Sequence, residues 1–214
     1  DGVDHVISDP PYEQAMHDLH NKAEFRRTDG GADRQLFSFS GIDEMRPYLL
    51  DWIENNCSGW FLAFCTAEGV GAWRSNIFGV RDIKFKTTCI WVKPDSAPKF
   101  NGQGPAVGYE PFITTWAGVG HAKWNAGGKR GVYTHCVNTN RYGGHPTEKP
   151  LPLMMEILKD FTSHGQTVLD PFCGSGTTIV ACERMGRRGI GIEVNEEYFN
   201  LACKRVDEAS RQPD

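Results

Sequence analysis

"QTVLDPFCGSGTT", residues 166–178, decides the fold. An apolar, β-branched run meets an acid and a proline, turns through two glycines and opens onto two threonines. Pro171 lacks an N–H and stops sheet pairing. Gly174 and Gly176 remove side chains where the backbone must bend and come close to a ligand. The stretch therefore predicts a strand, a glycine turn and a helix. Toward the C-terminus, residues 177–186 continue as helix, "RRGIGIEV" (187–194) reads as a strand, and residues 196–210 read as a helix. This alternation is the mark of a parallel sheet covered by helices. Glu193 stands at the end of the second strand. In nucleotide-binding α/β folds an acid there accepts hydrogen bonds from ribose hydroxyls. No lysine follows the second glycine, so nothing would neutralise a triphosphate. The third glycine of a dinucleotide fingerprint is also missing. The pattern suits an adenosine-bearing ligand without a pyrophosphate.

Toward the N-terminus, "HPTEKPLPLMMEILKDFTS" (145–163) predicts a proline-capped helix. Strands are expected at "GWFLAFCT" (59–66), "FKTTCIWVK" (85–93) and "YEPFITTWA" (109–117), and helices at 43–56 and 67–78. "VDHVIS" (3–8) is a short buried strand, closed by "DPPY" (9–12). Two prolines fix their own φ angles and leave the backbone few conformations. A turn so rigid holds Asp9, a proline carbonyl and Tyr12 in fixed relative positions. Residues 13–41 are polar and long for a connection, a length often associated with function. Residues 117–144 are rich in glycine and poor in apolar runs, so no element is assigned there.

The 214 residues suit one domain, 1–214, and 39% apolar with 23% charged residues suit a soluble globular protein. No apolar run approaches a membrane span, and no signal peptide is visible. The cysteines form no C-x-x-C pair and sit in apolar contexts, as buried thiols of a reducing compartment do. No metal is expected. A net charge of −4 argues mildly against nucleic acid as partner, but its distribution is uneven. "HAKWNAGGKR" (121–130) carries Lys123, Lys129, Arg130 and no acid, interleaved with Trp124. Arg26, Arg27 and Arg34 form a second basic group in the long loop. Residues 204–214 alternate in sign and read as a solvated helix end.

Three segments, "DPPY", "HPTEKP" and "DPFCGSGTT", resemble the catalytic, tenth and first motifs of S-adenosylmethionine-dependent DNA amino-methyltransferases. "GIGIEVNEEYF" (189–199) resembles the second motif. Their order, with the catalytic motif before the cofactor motif, is that of the permuted β class. The resemblance implies a Rossmann-like α/β fold with a mostly parallel sheet, helices on both faces and a small target-recognition insertion near 95–141. It implies S-adenosylmethionine as cofactor and double-stranded DNA as substrate. Asp9 and the Pro10 carbonyl would accept hydrogen bonds from the exocyclic amine of a flipped base, Pro11 would keep the turn rigid and Tyr12 would stack on the base. Asp170, Phe172, Gly174, Gly176 and Thr177 would line the cofactor's methionine side, Glu193 would hold the ribose, and His145, Thr147 and Lys149 would lie near the cofactor carboxylate. Lys123, Lys129, Arg130, Arg26 and Arg27 are the candidate DNA contacts. Asp at the first catalytic position resembles adenine-N6 more than cytosine-N4 enzymes; the cytosine reaction and a degenerate DNA-binding paralogue are the alternatives. A bacterial or phage protein of the cytoplasm is expected, with a homodimer left open. Members of the class usually carry a further strand before "VDHVIS", so the sheet is expected to be one strand short unless another segment or partner supplies it.

Overall fold

The computed structural model describes residues 2–11, 41–78, 82–100, 103–137 and 148–211. Tyr12, Arg26, Arg27, Arg34, His145 and Thr147 lie outside the described residues. In chain order the elements are β1 (His5–Ser8), α1 (Ile42–Asn56), β2 (Trp60–Phe64), α2 (Gly69–Ile77), β3 (Lys84–Val92) and β4 (Tyr109–Trp116). They continue with β5 (Val132–Thr134), α3 (Leu151–Phe161), β6 (Thr167–Asp170), α4 (Thr177–Arg184), β7 (Arg188–Gly191) and α5 (Glu196–Ser210). One seven-stranded sheet runs β5-β3-β4-β2-β1-β6-β7. β1 pairs in parallel with β2 and β6, β6 with β7, and β3 with β5. Among the described residues only β4 runs against the strands on both its sides.

Strands buried on both faces read as continuous apolar runs, and β2 shows why. Trp60, Leu62 and Phe64 enter one core, together with Ile7 of β1 and side chains of α3 and α4. Phe61 and Ala63 enter the other, with Val6 of β1 and side chains of α1 and α2. Period two thus serves two cores at once, and the expected helices on both faces are found. β5 departs from the sequence reading. Its three residues pair with Ile90, Trp91 and Val92, so it exists through a distant partner and not through its own pattern.

The layout also positions a crevice. α4, which follows β6, packs on the first face, whereas α1, which follows β1, packs on the second. β1 and β6 are neighbours, so the chain leaves their carboxyl ends in opposite directions. Ligands of open α/β sheets bind at such a switch point. β7 forms the sheet edge among the described residues, and all four of its residues are exposed.

Candidate active site

β1 and β6 end side by side, and a hydrogen bond ties their ends. Ser8 Oγ donates to Asp170 Oδ1 at 2.6 Å, and the Phe172 amide donates to the same oxygen at 3.1 Å. Asp170 therefore latches the turn at Asp9 to the glycine turn. Burial holds its carboxyl above the usual range, against the pull of these bonds. Phe172 is half-buried against the second core.

Asp9 follows β1, and its two oxygens differ. Oδ2 accepts a hydrogen bond from Lys149 Nζ. Oδ1 is buried and, among the described residues, has no hydrogen-bond partner. Burial pushes the Asp9 carboxyl up to about 6; Lys149 opposes this, while the charges of Glu110 and Asp170 add to it. Lys149, for which the resemblance implied a place near the cofactor carboxylate, lies between Asp9 and Glu110 Oε1, the latter at 2.9 Å. Its neighbour Glu148 turns the other way. Glu148 Oε1 accepts from Arg205 Nη2 at 2.8 Å, and Arg205 Nη1 donates to the Ser175 carbonyl at 2.7 Å and to Ser175 Oγ at 2.8 Å. Thr177 Oγ1 lies in this same buried network, 3.3 Å from Arg205 and 3.4 Å from Glu148. Two adjacent residues of "HPTEKP" thus anchor the two turns, Lys149 at the Asp9 turn and Glu148 at the glycine one.

The sequence reading of 204–214 as a solvated helix end fails at Arg205, which is buried. A signal was present, because Arg205 shares its helical face with the small buried residues Ala202 and Ala209. Glu110 and Glu148 were missed too. Glu148 lay inside a quoted motif, but Glu110 offered only a charge at the start of an otherwise buried strand.

In the glycine turn, Gly174 and Gly176 have φ of +51° and +84°, a region that other residues rarely adopt. A Cβ on Gly176 would stand 2.8 Å from the Ala202 Cβ, so α5 also needs this position bare. Glu193 Oε2 accepts from the Gly174 amide at 2.9 Å and Oε1 from the Asn195 amide at 2.8 Å. Each carboxylate oxygen can accept a second bond, and Glu193 is only half-buried. Burial pushes the Cys173 thiol up to about 12, which leaves it unreactive. Among the described residues no group of three or more His, Cys, Asp or Glu is placed to hold a metal.

The basic stretch divides. Lys129 Nζ meets Asp160 and, at 2.8 Å, Glu156, and stands over the Tyr133 ring at 4.3 Å. Its charge is neutralised inside the protein, so the structure does not present it as an open phosphate contact. Trp124 packs on Phe161, with ring centroids 4.8 Å apart, and Tyr133 is fully buried. Lys123 and Arg130 remain exposed.

A family model described as DNA methylase matches residues 121–204. A curated relative, the type II methyltransferase M2.DpnII of Streptococcus pneumoniae, is 49% identical over 65 residues, 30% of this chain and 24% of its own. The DNA adenine methyltransferase YhdJ of Escherichia coli is 44% identical over 71 residues, 33% of this chain and 24% of its own. Each match thus spans about a quarter of the curated relative. The crystal structure of an M1.HpyAVI–SAM complex superposes with a TM-score of 0.72 at 26% identity, covering 96% of this chain and 89% of that one. Over the matched residues the chain is similar to DNA methylases, and over nearly its whole length its fold is similar to that of the M1.HpyAVI–SAM complex.

Proposed function

We propose that this chain carries the active site of an enzyme that moves a methyl group from S-adenosylmethionine to the N6 amine of adenine in double-stranded DNA. The observation that carries the reading is the buried Asp9 Oδ1, an acceptor without a partner among the described residues, at the end of β1 and beside the glycine turn. The residues of that turn fit the cofactor. Two bare, positive-φ glycines leave the backbone accessible at the start of α4, and Glu193 keeps acceptor capacity for ribose hydroxyls. S-adenosylmethionine, when bound, supplies an electrophilic methyl group on a sulfonium.

An exocyclic amine is a poor nucleophile because its lone pair is delocalised into the ring. Asp9 Oδ1 accepts one N–H and the Pro10 carbonyl accepts the other, which favours a pyramidal nitrogen with its lone pair out of the ring plane. Holding that pose rigidly is where the two prolines contribute. The ionised carboxylate then stabilises the positive charge that develops on nitrogen, and Oδ1 takes the proton that nitrogen releases. A base inside a duplex must first leave the stack, which costs a few kcal/mol. Tyr12 is proposed to return part of this, since stacking on an aromatic ring is worth about 1–3 kcal/mol per base. The named activity of the Escherichia coli relative supports adenine as the base.

The test is direct. The purified protein is incubated with labelled S-adenosylmethionine and duplex DNA, and the digested nucleosides are separated by mass. N6-methyldeoxyadenosine is expected. N4-methyldeoxycytidine would change the base and keep the mechanism; no methylated nucleoside would overturn both.

A further inference from the structure

Four charged side chains alternate in sign along the rim of the crevice. In sheet order they span β1, β2, β4 and β3. Asp9 follows β1. Lys149 Nζ sits over the ring of Phe64, the last residue of β2, 4.9 Å from its centroid. Glu110 lies near the start of β4, and Lys93 just beyond β3. Glu110 uses both oxygens, Oε1 toward Lys149 at 2.9 Å and Oε2 toward Lys93 at 2.7 Å. Glu110 and Lys149 are both only 6% exposed. A carboxylate so deeply buried is costly unless paired and hydrogen-bonded, and the resemblance to a methyltransferase gave Glu110 no role.

We propose that Glu110 is a positioning residue for the methyl transfer argued above: it holds the Lys149 ammonium so that this cation engages Asp9 Oδ2 alone and leaves Oδ1 for the substrate amine. The proposal rests on that reading of the site. The geometry supplies the reason. An ammonium has three donors and could otherwise swing across both oxygens of Asp9. Glu110 claims one donor, the Phe64 ring closes the side beneath, and Lys93 fixes Glu110 in turn. Electrostatics works in the same direction. A lone Lys149 would pair fully with Asp9 and weaken it as an acceptor, whereas Glu110 shares the cation. The charged groups facing Asp9 are Lys149 before α3, Glu110 of β4 and Asp170 of β6. Lys149 favours its ionised form, and both carboxylates oppose it.

Glu110 and Lys149 must therefore act on Asp9 with opposite signs. Wild type, Glu110→Gln, Lys149→Met and Lys93→Met are compared by two measurements. The first is the carboxyl carbon resonance of Asp9 titrated in the protein without DNA. The second is the pH profile of kcat for methyl transfer. In Glu110→Gln the Asp9 titration and the acid limb of kcat move to lower pH, and kcat at its optimum falls by up to about 10²-fold, the cost of a misplaced reacting group. KM for the methyl donor stays unchanged. In Lys149→Met both curves move to higher pH. Lys93→Met, which leaves Asp9 and Lys149 in place, follows Glu110→Gln in losing kcat and covers the case in which Glu110→Gln does not fold. An unmoved Asp9 titration in Glu110→Gln, or movement in the same direction as in Lys149→Met, overturns the proposal. The resonance needs no turnover, so absent methylation in the wild type would count against the proposed function and leave the coupling to be judged on its own.

Discussion

Asp9 carries a conflict between chemistry and stability. The proposed methyl transfer needs the ionised carboxylate, yet burial raises its pKa to about 6. Turnover is thus expected to fall as the pH drops through about 6. Stability runs the other way. An unfolded aspartate titrates near ~3.9, so the folded chain binds this proton more tightly. The stabilisation from protonated Asp9 is complete below about pH 4 and is lost as the pH rises through about 6. Asp9→Asn keeps the shape and removes the charge. Its turnover should fall by about 10²–10³-fold, as when a preorganised electrostatic contact is removed. Its melting temperature should exceed that of wild type at pH 8 and match it at pH 4. Thermal melts at the two pH values decide, and a lower melting temperature at pH 8 would show that the Lys149 pair outweighs the burial. Glu193 makes a different case. It serves the protein twice, at the Gly174 and Asn195 amides, before any ligand arrives. In Glu193→Gln one acceptor oxygen becomes a donor that faces an N–H. Losing a charged hydrogen bond costs about 1.5–3 kcal/mol, so calorimetry should find S-adenosylmethionine bound roughly tenfold or more weakly. An unchanged affinity would leave Glu193 as a clamp on the turn only.

Between elements, the contact that matters most to the cofactor side is that of the glycine turn with α5. Gly176 combines a φ of +84° with a missing Cβ that would meet Ala202 at 2.8 Å. A non-glycine residue in the left-handed region costs about 1–3 kcal/mol, and Gly176→Ala should lose at least that in urea unfolding. The overlap is a separate contribution, so Gly176→Ala with Ala202→Gly should lose less than the sum of the two single changes. Additive losses would show that only the backbone angle matters. The turn, the helix after it and the strands with two apolar faces were legible because local pattern specifies them. β5 was not, because its three residues follow β3 and carry no period of their own. Glu110 was illegible for a related reason, and Arg205 showed only in the small residues Ala202 and Ala209 on its helical face. A charge in sequence looks solvated, and only partners distant along the chain, Lys149 and Glu148, bring these two inside. Asp9, Lys149 and Glu193 each stand in a quoted motif, but the partner Glu110 that shares Lys149 stands in none.

Across the whole molecule, the same internal pairing decides which cations stay open to the proposed DNA substrate. The chain carries a net charge of −4, so phosphate binding depends on which cations stay outside. Lys93, Lys149 and Arg205 are spent on Glu110, Asp9 and Glu148. Lys129 is spent on Asp160 and Glu156. The basic stretch 121–130 looked uniform as sequence, but it offers solvent only Lys123 and Arg130 among its three cations. Each cation that neutralises a phosphate releases counterions and adds about 0.9 to the slope of log affinity against log salt. Lys123→Ala and Arg130→Ala should each flatten that slope by up to about 0.9 and leave urea unfolding nearly unchanged. Lys129→Ala should do the reverse. Among the described residues it leaves the buried Asp160 only the Tyr133 hydroxyl, at 2.9 Å, as a side-chain donor. That loss should cost about 1–3 kcal/mol of stability with the salt slope unmoved. Filter binding on duplex DNA from low to moderate salt, beside urea unfolding of the same three variants, separates the two roles. A flattened slope in Lys129→Ala would mean that DNA draws this ammonium out of its carboxylates. Unmoved slopes in both Lys123→Ala and Arg130→Ala would move the phosphate contacts away from this stretch, with Arg26 and Arg27 next in line.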